Sequence, residues 1–103
     1  MGEHQTFESV LAEVKSKRSK PPMACVMIFD DDYTPMEFVV AQLVAIFELT
    51  YKDAANVTLQ VHYEGKASCG EFPVPVAHDK VQQLEEISKK HGYPLLCEVQ
   101  KMS

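Results

Sequence analysis

Asp30-Asp31-Asp32-Tyr33-Thr34-Pro35-Met36-Glu37-Phe38 sets three carboxylates directly before a well-marked helix start. Thr34 fits the N-cap, Pro35 the first helical position, and Glu37 completes an S/T-x-x-E capping box. Carboxylates near a helix N-terminus are favoured by its dipole. A run of three exceeds what a cap needs. Adjacent like charges repel, so the run reads as a set of acceptors held for a cation.

The flanks of this stretch organise the rest of the chain. Upstream, Met23 to Phe29 is an apolar run of strand length. Downstream, Pro35 to about Phe47 reads as a helix, because Met36, Val39, Val40, Leu43, Val44 and Phe47 recur at three- and four-residue spacing. Thr50 caps a second helix, with Asp53 as its N3 partner, and Gly65 stops it after Glu64. Ala67 to about Val74 reads as a strand, weakened or ended by Pro73. Val76 to about His91 is a third helix with Ala77, Val81, Leu84 and Ile87 inward, stopped by Gly92 and Pro94. Leu95 to about Val99 is a last strand. The order β-α-α-β-α-β predicts an α/β (α+β) two-layer sandwich, a three-stranded antiparallel sheet packed on three helices.

Residues 1–22 read as a flexible N-terminal extension and 23–103 as the core domain. Phe7, Val10, Leu11 and Val14 have helical spacing, Lys15, Lys17, Arg18 and Lys20 follow, and Pro21-Pro22 reads as a linker. The extension carries net charge +1 and the remainder −6. A net charge of −5 over 103 residues argues against a nucleic-acid partner, which needs a basic face. No apolar run approaches the roughly 20 residues of a membrane span, and the N-terminus lacks a signal-peptide core. Cys25, Cys69 and Cys97 form no C-x-x-C pair and each lies in an apolar or strand-like stretch. They read as free thiols, buried in a reducing compartment.

On the second helix, Thr58, Val61 and His62 stand at i, i+3 and i+4 and share one side. A histidine beside apolar residues is usually a packed, hydrogen-bonded one. The acidic run elsewhere in the chain gives it a second role to consider, as an acceptor beside other acceptors.

Three blocks fall in order along the chain: Asp30 to Val39; Val61-His62-Tyr63-Glu64-Gly65-Lys66-Ala67 with Cys69-Gly70; and Pro94-Leu95-Leu96-Cys97. With Lys80 in the third helix, they resemble the ClpS adaptors of bacterial and plastid Clp proteases. The first block of that family commonly reads Asn-Asp-Asp-Tyr-Thr-Pro-Met-Glu-Phe-Val. Nine consecutive residues after Asp30 match it, and the resemblance covers about residues 23–101. It implies an adaptor and not an enzyme, with no catalytic residues, no metal and no cofactor. The implied ligands are N-degrons, substrate proteins whose first residue is Phe, Tyr, Trp or Leu. The implied partner is the N-terminal domain of a hexameric Clp unfoldase of the AAA+ class.

Carried over position by position, the resemblance assigns Asp30, Asp32 and His62 to the substrate's α-ammonium, with Asp31 helping to set the loop and its field. Thr34, Met36, Val39, Thr58, Val61 and Leu95 would line the side-chain pocket, with Met36 as an adaptable gate. Tyr33 and Lys80 match positions near the unfoldase contact. The chemistry suits the roles: an ammonium offers three donors, and carboxylates and an imidazole nitrogen accept them in charge-assisted bonds.

Two positions depart from the family. Asp30 stands where asparagine is usual, which adds charge and removes an amide donor. Thr58 stands where many members have methionine, which predicts a roomier, more polar wall and a broader choice of first residue, extending to Ile or Val. One alternative is therefore a ClpS paralogue with a different N-terminal or internal ligand set. Another is an enzyme in which Asp30–Asp32 hold Mg²⁺ or Ca²⁺ and His62 acts as base. No phosphate-binding glycine loop or nucleophile elbow accompanies those residues. A monomer is expected, in bacterial cytoplasm rather than plastid stroma, because the extension is acidic as well as basic.

Overall fold

Ala24, Val26 and Ile28 are fully buried, while Met23, Cys25, Met27 and Phe29 between them are half-buried. This period of two marks a strand with one face on a core and one toward solvent. In the computed structural model, which describes residues 6–11 and 21–102, that strand is β1 (Met23–Phe29). It is followed by α1 (Met36–Ala45), α2 (Tyr51–Glu64), β2 (Lys66–Pro73), α3 (Val74–Lys90) and β3 (Leu96–Lys101). The sheet order is β2-β1-β3, with β1 central and antiparallel to both neighbours. The predicted two-layer architecture and element order are thus observed.

Register runs from Met23↔Pro73 to Phe29↔Lys66 on one side of β1 and from Ala24↔Lys101 to Phe29↔Leu96 on the other. Between Cys25 and Met27 the β2 register slips by one residue. Gly70 sits in this bulge at φ 135°, where a Cβ would come within 3.1 Å of the Phe72 ring.

The helices close the other layer. Val39 and Leu43 from α1, Ala54 and Val61 from α2, and Ala77, Val81 and Leu84 from α3 meet Val26 and Ile28 over the sheet. Ile87, expected inward, is half-buried at the margin of this core. Cys69 and Cys97 face the same core, and burial pushes both thiols up to about 12. For Cys97 the nearby Glu85 and Glu98 carboxylates add to the effect. All three cysteines are free, and Cys25 is half-buried on the open face.

Thr50 caps α2 as expected, its hydroxyl accepting the Asp53 N–H at 3.1 Å, and Gly65 ends that helix at φ 91°. The start of α1 differs from expectation. Pro35 occupies the N-cap and makes no side-chain cap bond. Thr34 instead donates its hydroxyl to Asp31 Oδ2 at 2.8 Å. The capping box fails because a nearer carboxylate competes for the threonine.

In the extension, residues 7–11 are helical. Thr6 and Ser9 cap this turn reciprocally, each main-chain N–H donating to the other's hydroxyl at 3.0 Å. Residues 1–5 and 12–20 of the predicted flexible extension, Val14 included, lie outside the described residues. Among the described residues no helix is long and apolar enough to cross a membrane.

Candidate functional site

The C-terminal end of β1, the N-terminal end of α1 and the C-terminal end of α2 converge on one small cavity. One main-chain bond links them. The Asp30 N–H donates to the Gly65 carbonyl at 2.9 Å, so the acidic loop is tied to the turn that ends α2. His62 lies within the last turn of that helix. The loop therefore sits beside the imidazole because two neighbouring chain ends are hydrogen-bonded together.

The three carboxylates do different things. Asp31 Oδ1 accepts the N–H groups of Tyr33 at 2.8 Å and Thr34 at 2.7 Å, while its Oδ2 takes the Thr34 hydroxyl. This is an Asx-type turn closed on both oxygens, so Asp31 is engaged in shaping the loop. Among the described residues, the carboxylates of Asp30 and Asp32 and both ring nitrogens of His62 have no hydrogen-bond partner. Asp30, Asp32 and His62 are exposed to solvent. The His62 ring rests edge-on against Tyr63 at a centroid distance of 5.1 Å.

The cavity is lined by Asp30, Asp31, Thr34 and His62 on its polar side and by Met36, Val39, Thr58, Val61, Leu95 and Phe29 elsewhere. Of the residues named from the sequence for this site, Asp32 lies outside the lining. Phe29 was not named. A strand-terminal aromatic at the open end of a sheet is a usable cue, but strand periodicity alone does not reveal what it faces.

Thr58 is buried and donates its hydroxyl to the Ala54 carbonyl one turn back, at 2.8 Å. Its proton is spent within the helix, so the wall is less polar than the residue type suggests. Met36 is 39% exposed and forms the flexible lip.

The enclosed volume is about 20 Å³, close to one water. A large apolar side chain enters only if the lip and walls yield, and an unbranched thioether is the side chain most able to do so. Larger hollows exist, such as one of about 360 Å³ beside Ser88, Tyr93 and Leu95. That hollow does not join a free carboxylate to an imidazole beside an apolar wall.

Tyr33 is 78% exposed on the same loop. Lys80 is far from it in the fold. Its ammonium donates to the Ile46 carbonyl at the other end of α1, and its side chain is only 12% exposed. At 1.5 Å per residue, the ten residues of α1 put about 15 Å between these two ends. Among the described residues, no group of three or more His, Cys, Asp or Glu side chains is arranged to hold a metal ion.

A family model for the ATP-dependent Clp protease adaptor protein ClpS matches residues 19–98. The chain belongs to the ClpS family. The Clp protease adapter ClpS of Caulobacter sp. (strain K31) is 44% identical over 90% of this chain and 85% of its own length. The corresponding protein of Nitrosomonas eutropha is 39% identical over 91% of each chain. Among solved structures, Agrobacterium tumefaciens ClpS2 bound to L-phenylalaninamide superposes with a TM-score of 0.77 at 29% identity. It covers 81% of this chain and all of the other. The ClpS family consists of protease adaptors, so the chain is an adaptor of the Clp system and not an enzyme.

Proposed function

We propose that the chain binds the N-terminal residue of substrate proteins and delivers them to a Clp AAA+ unfoldase. The observation that carries this reading is the pairing of Asp30 and His62, acceptors without a partner among the described residues, with an apolar cavity at one mouth. A free N-terminus is an ammonium attached through one carbon to a side chain, so one ligand fills both halves. The solved relative with phenylalaninamide supports it, since that ligand is an amine beside a benzyl group. In this reading Asp30 and His62 accept from the ammonium, Asp32 adds field from outside the lining, and Asp31 holds the loop. Thr34, Met36, Val39, Thr58, Val61 and Leu95 contact the side chain, as does Phe29. The preferred first residues are Phe, Tyr, Trp and Leu.

Delivery is to the N-terminal domain of the hexameric unfoldase, with the domain acting as a monomer in bacterial cytoplasm. The exposed Tyr33 is the better placed of the two contact residues, because the Lys80 ammonium is engaged internally. Residues 1–22 act as an arm rooted on the core at Pro22, whose carbonyl accepts the Val74 N–H.

Anisotropy with a Phe-initiated peptide and its N-acetylated form tests the site. Acetylation removes the cation, and affinity is expected to fall at least ~10-fold, the loss of a charge-assisted bond. Equal binding of the two peptides would refute the ammonium role. A Val-initiated peptide in the same series tests the second reading, a paralogue with a shifted ligand set, which Asp30 and Thr58 favour.

A further inference from the structure

We propose that a groove at the N-terminal end of β1 is a docking site for this chain's own residues 6–11. The groove encloses about 540 Å³, the size of a ligand pocket. Its walls are Pro21, Pro22, Pro73, Pro75, Val74 and Met102, with Lys101 the one charged contributor among the described residues. Four of the chain's six prolines converge there. Two main-chain bonds join the walls: the Val74 N–H to the Pro22 carbonyl at 3.1 Å, and the Met102 N–H to the Met23 carbonyl at 3.0 Å. Proline rings have little side-chain freedom to lose on burial. The groove is thus preformed, apolar and cheap to fill.

The occupant is argued from the chain itself. Phe7, Val10 and Leu11 stand at i, i+3 and i+4 of a capped helical turn, so they share one face. They are 76%, 40% and 37% exposed, an apolar stripe without a core of its own. Glu8 lies in the same turn, opposite in charge to Lys101. Nine residues, 12–20, separate Leu11 from Pro21, which is itself a wall of the groove. At 3.3–3.6 Å per residue they span at most about 30 Å, so the tether reaches back to its own root. A short tether holds the segment near the groove at an effective concentration on the order of millimolar, so millimolar affinity docks about half of the molecules.

Docking leaves the cavity at the other end of β1 open. The groove begins at Met23 and the cavity ends at Phe29, seven residues along β1 and about 20 Å apart. The inference therefore stands independently of the ammonium reading.

The chain contains no tryptophan, so Phe7→Trp in the full-length protein gives a single reporter. Its emission is expected to be blue-shifted and its acrylamide quenching about twofold weaker than in the same protein with Val10→Asp or Met102→Glu. Val10→Asp alters the segment outside the core and Met102→Glu the rim of the groove, so neither depends on refolding the domain. Emission and quenching identical in all three proteins overturn the proposal. Protection that rises with protein concentration also overturns it, in favour of a second copy's groove as the site.

Discussion

Lys80 and Ile46 are joined across the helical layer: the part-buried ammonium donates to the Ile46 carbonyl at 2.6 Å, across 34 residues of sequence. Ile46 is the C-cap of α1, where unpaired carbonyls and the negative end of the helix dipole favour a cation. The ammonium also lies 5.8 Å and 5.3 Å from the ring centroids of Phe47 and Phe72. Its contact with Glu48 spans 3.8 Å to a carboxylate side chain that is 84% exposed. Lys80→Ala is expected to lower stability by about 1.5–3 kcal/mol, the worth of a bond to a charged group. Glu48→Ala should cost under about 1 kcal/mol. Urea midpoints check both. A Lys80→Ala protein of unchanged midpoint that no longer binds its unfoldase would show the ammonium acting at the surface instead.

The Asp31 turn gives a second expectation. Asp31→Ala leaves two main-chain N–H groups without their acceptor and should cost about 1–2 kcal/mol, as loss of a cap does. Asp31→Asn keeps one oxygen for those donors and should be the milder change. If the loop orders the site, peptide affinity falls in the same order, Ala more than Asn.

Thr58 and Met36 govern the room in the cavity. With only about 20 Å³ enclosed, Thr58→Met is expected to exclude β-branched first residues more strongly than the native wall. Met36→Ala should do the reverse and raise binding of Ile- and Val-initiated peptides relative to Phe. Ranking Phe, Leu, Ile and Val peptides against the three proteins decides the matter. An unchanged ranking would remove both residues from the specificity wall.

The buried thiols predict a pH dependence of known sign. Cys69 and Cys97 are raised from 9.0 to about 12, so the folded state keeps protons that the unfolded chain releases. Their contribution to stability is complete below about pH 9 and is lost as pH rises toward about 12. Denaturation midpoints taken across that range should fall more steeply in this protein than in a Cys69→Ala, Cys97→Ala variant. At neutral pH, thiol alkylation of the native protein should modify Cys25 first, since the other two are buried and protonated.

Much of the fold was legible because local chemistry and tertiary structure agree. Thr50 before Asp53 and Gly65 after Glu64 bound α2 in sequence and in the structure alike. The short apolar run of Met23–Phe29 likewise marks a strand, although its alternating burial shows only in the structure. Legibility fails where two local groups compete or where the partner is remote. Thr34 has the sequence of a cap, yet Asp31 takes its hydroxyl. Lys80 has the look of a surface cation, yet its acceptor is a carbonyl on another helix. The register slip at Gly70 is not legible in the sequence, because it depends on pairing with β1. At the site, Asp30, Met36, Val39, Thr58, Val61, His62 and Leu95 meet around one cavity. The family pattern named those residues. Composition and spacing alone marked only the acidic run and the histidine's side of α2.

The central position of β1 has a mechanical consequence. The N-terminal extension enters the domain through this strand, which is hydrogen-bonded to β2 along one edge and to β3 along the other. A pull on the extension runs along the strand axis. It loads both ladders together in shear, whereas the same pull along an edge strand would load only one ladder. Tension at the N-terminus is thus shared by both ladders, with the candidate site at the far end of the same strand.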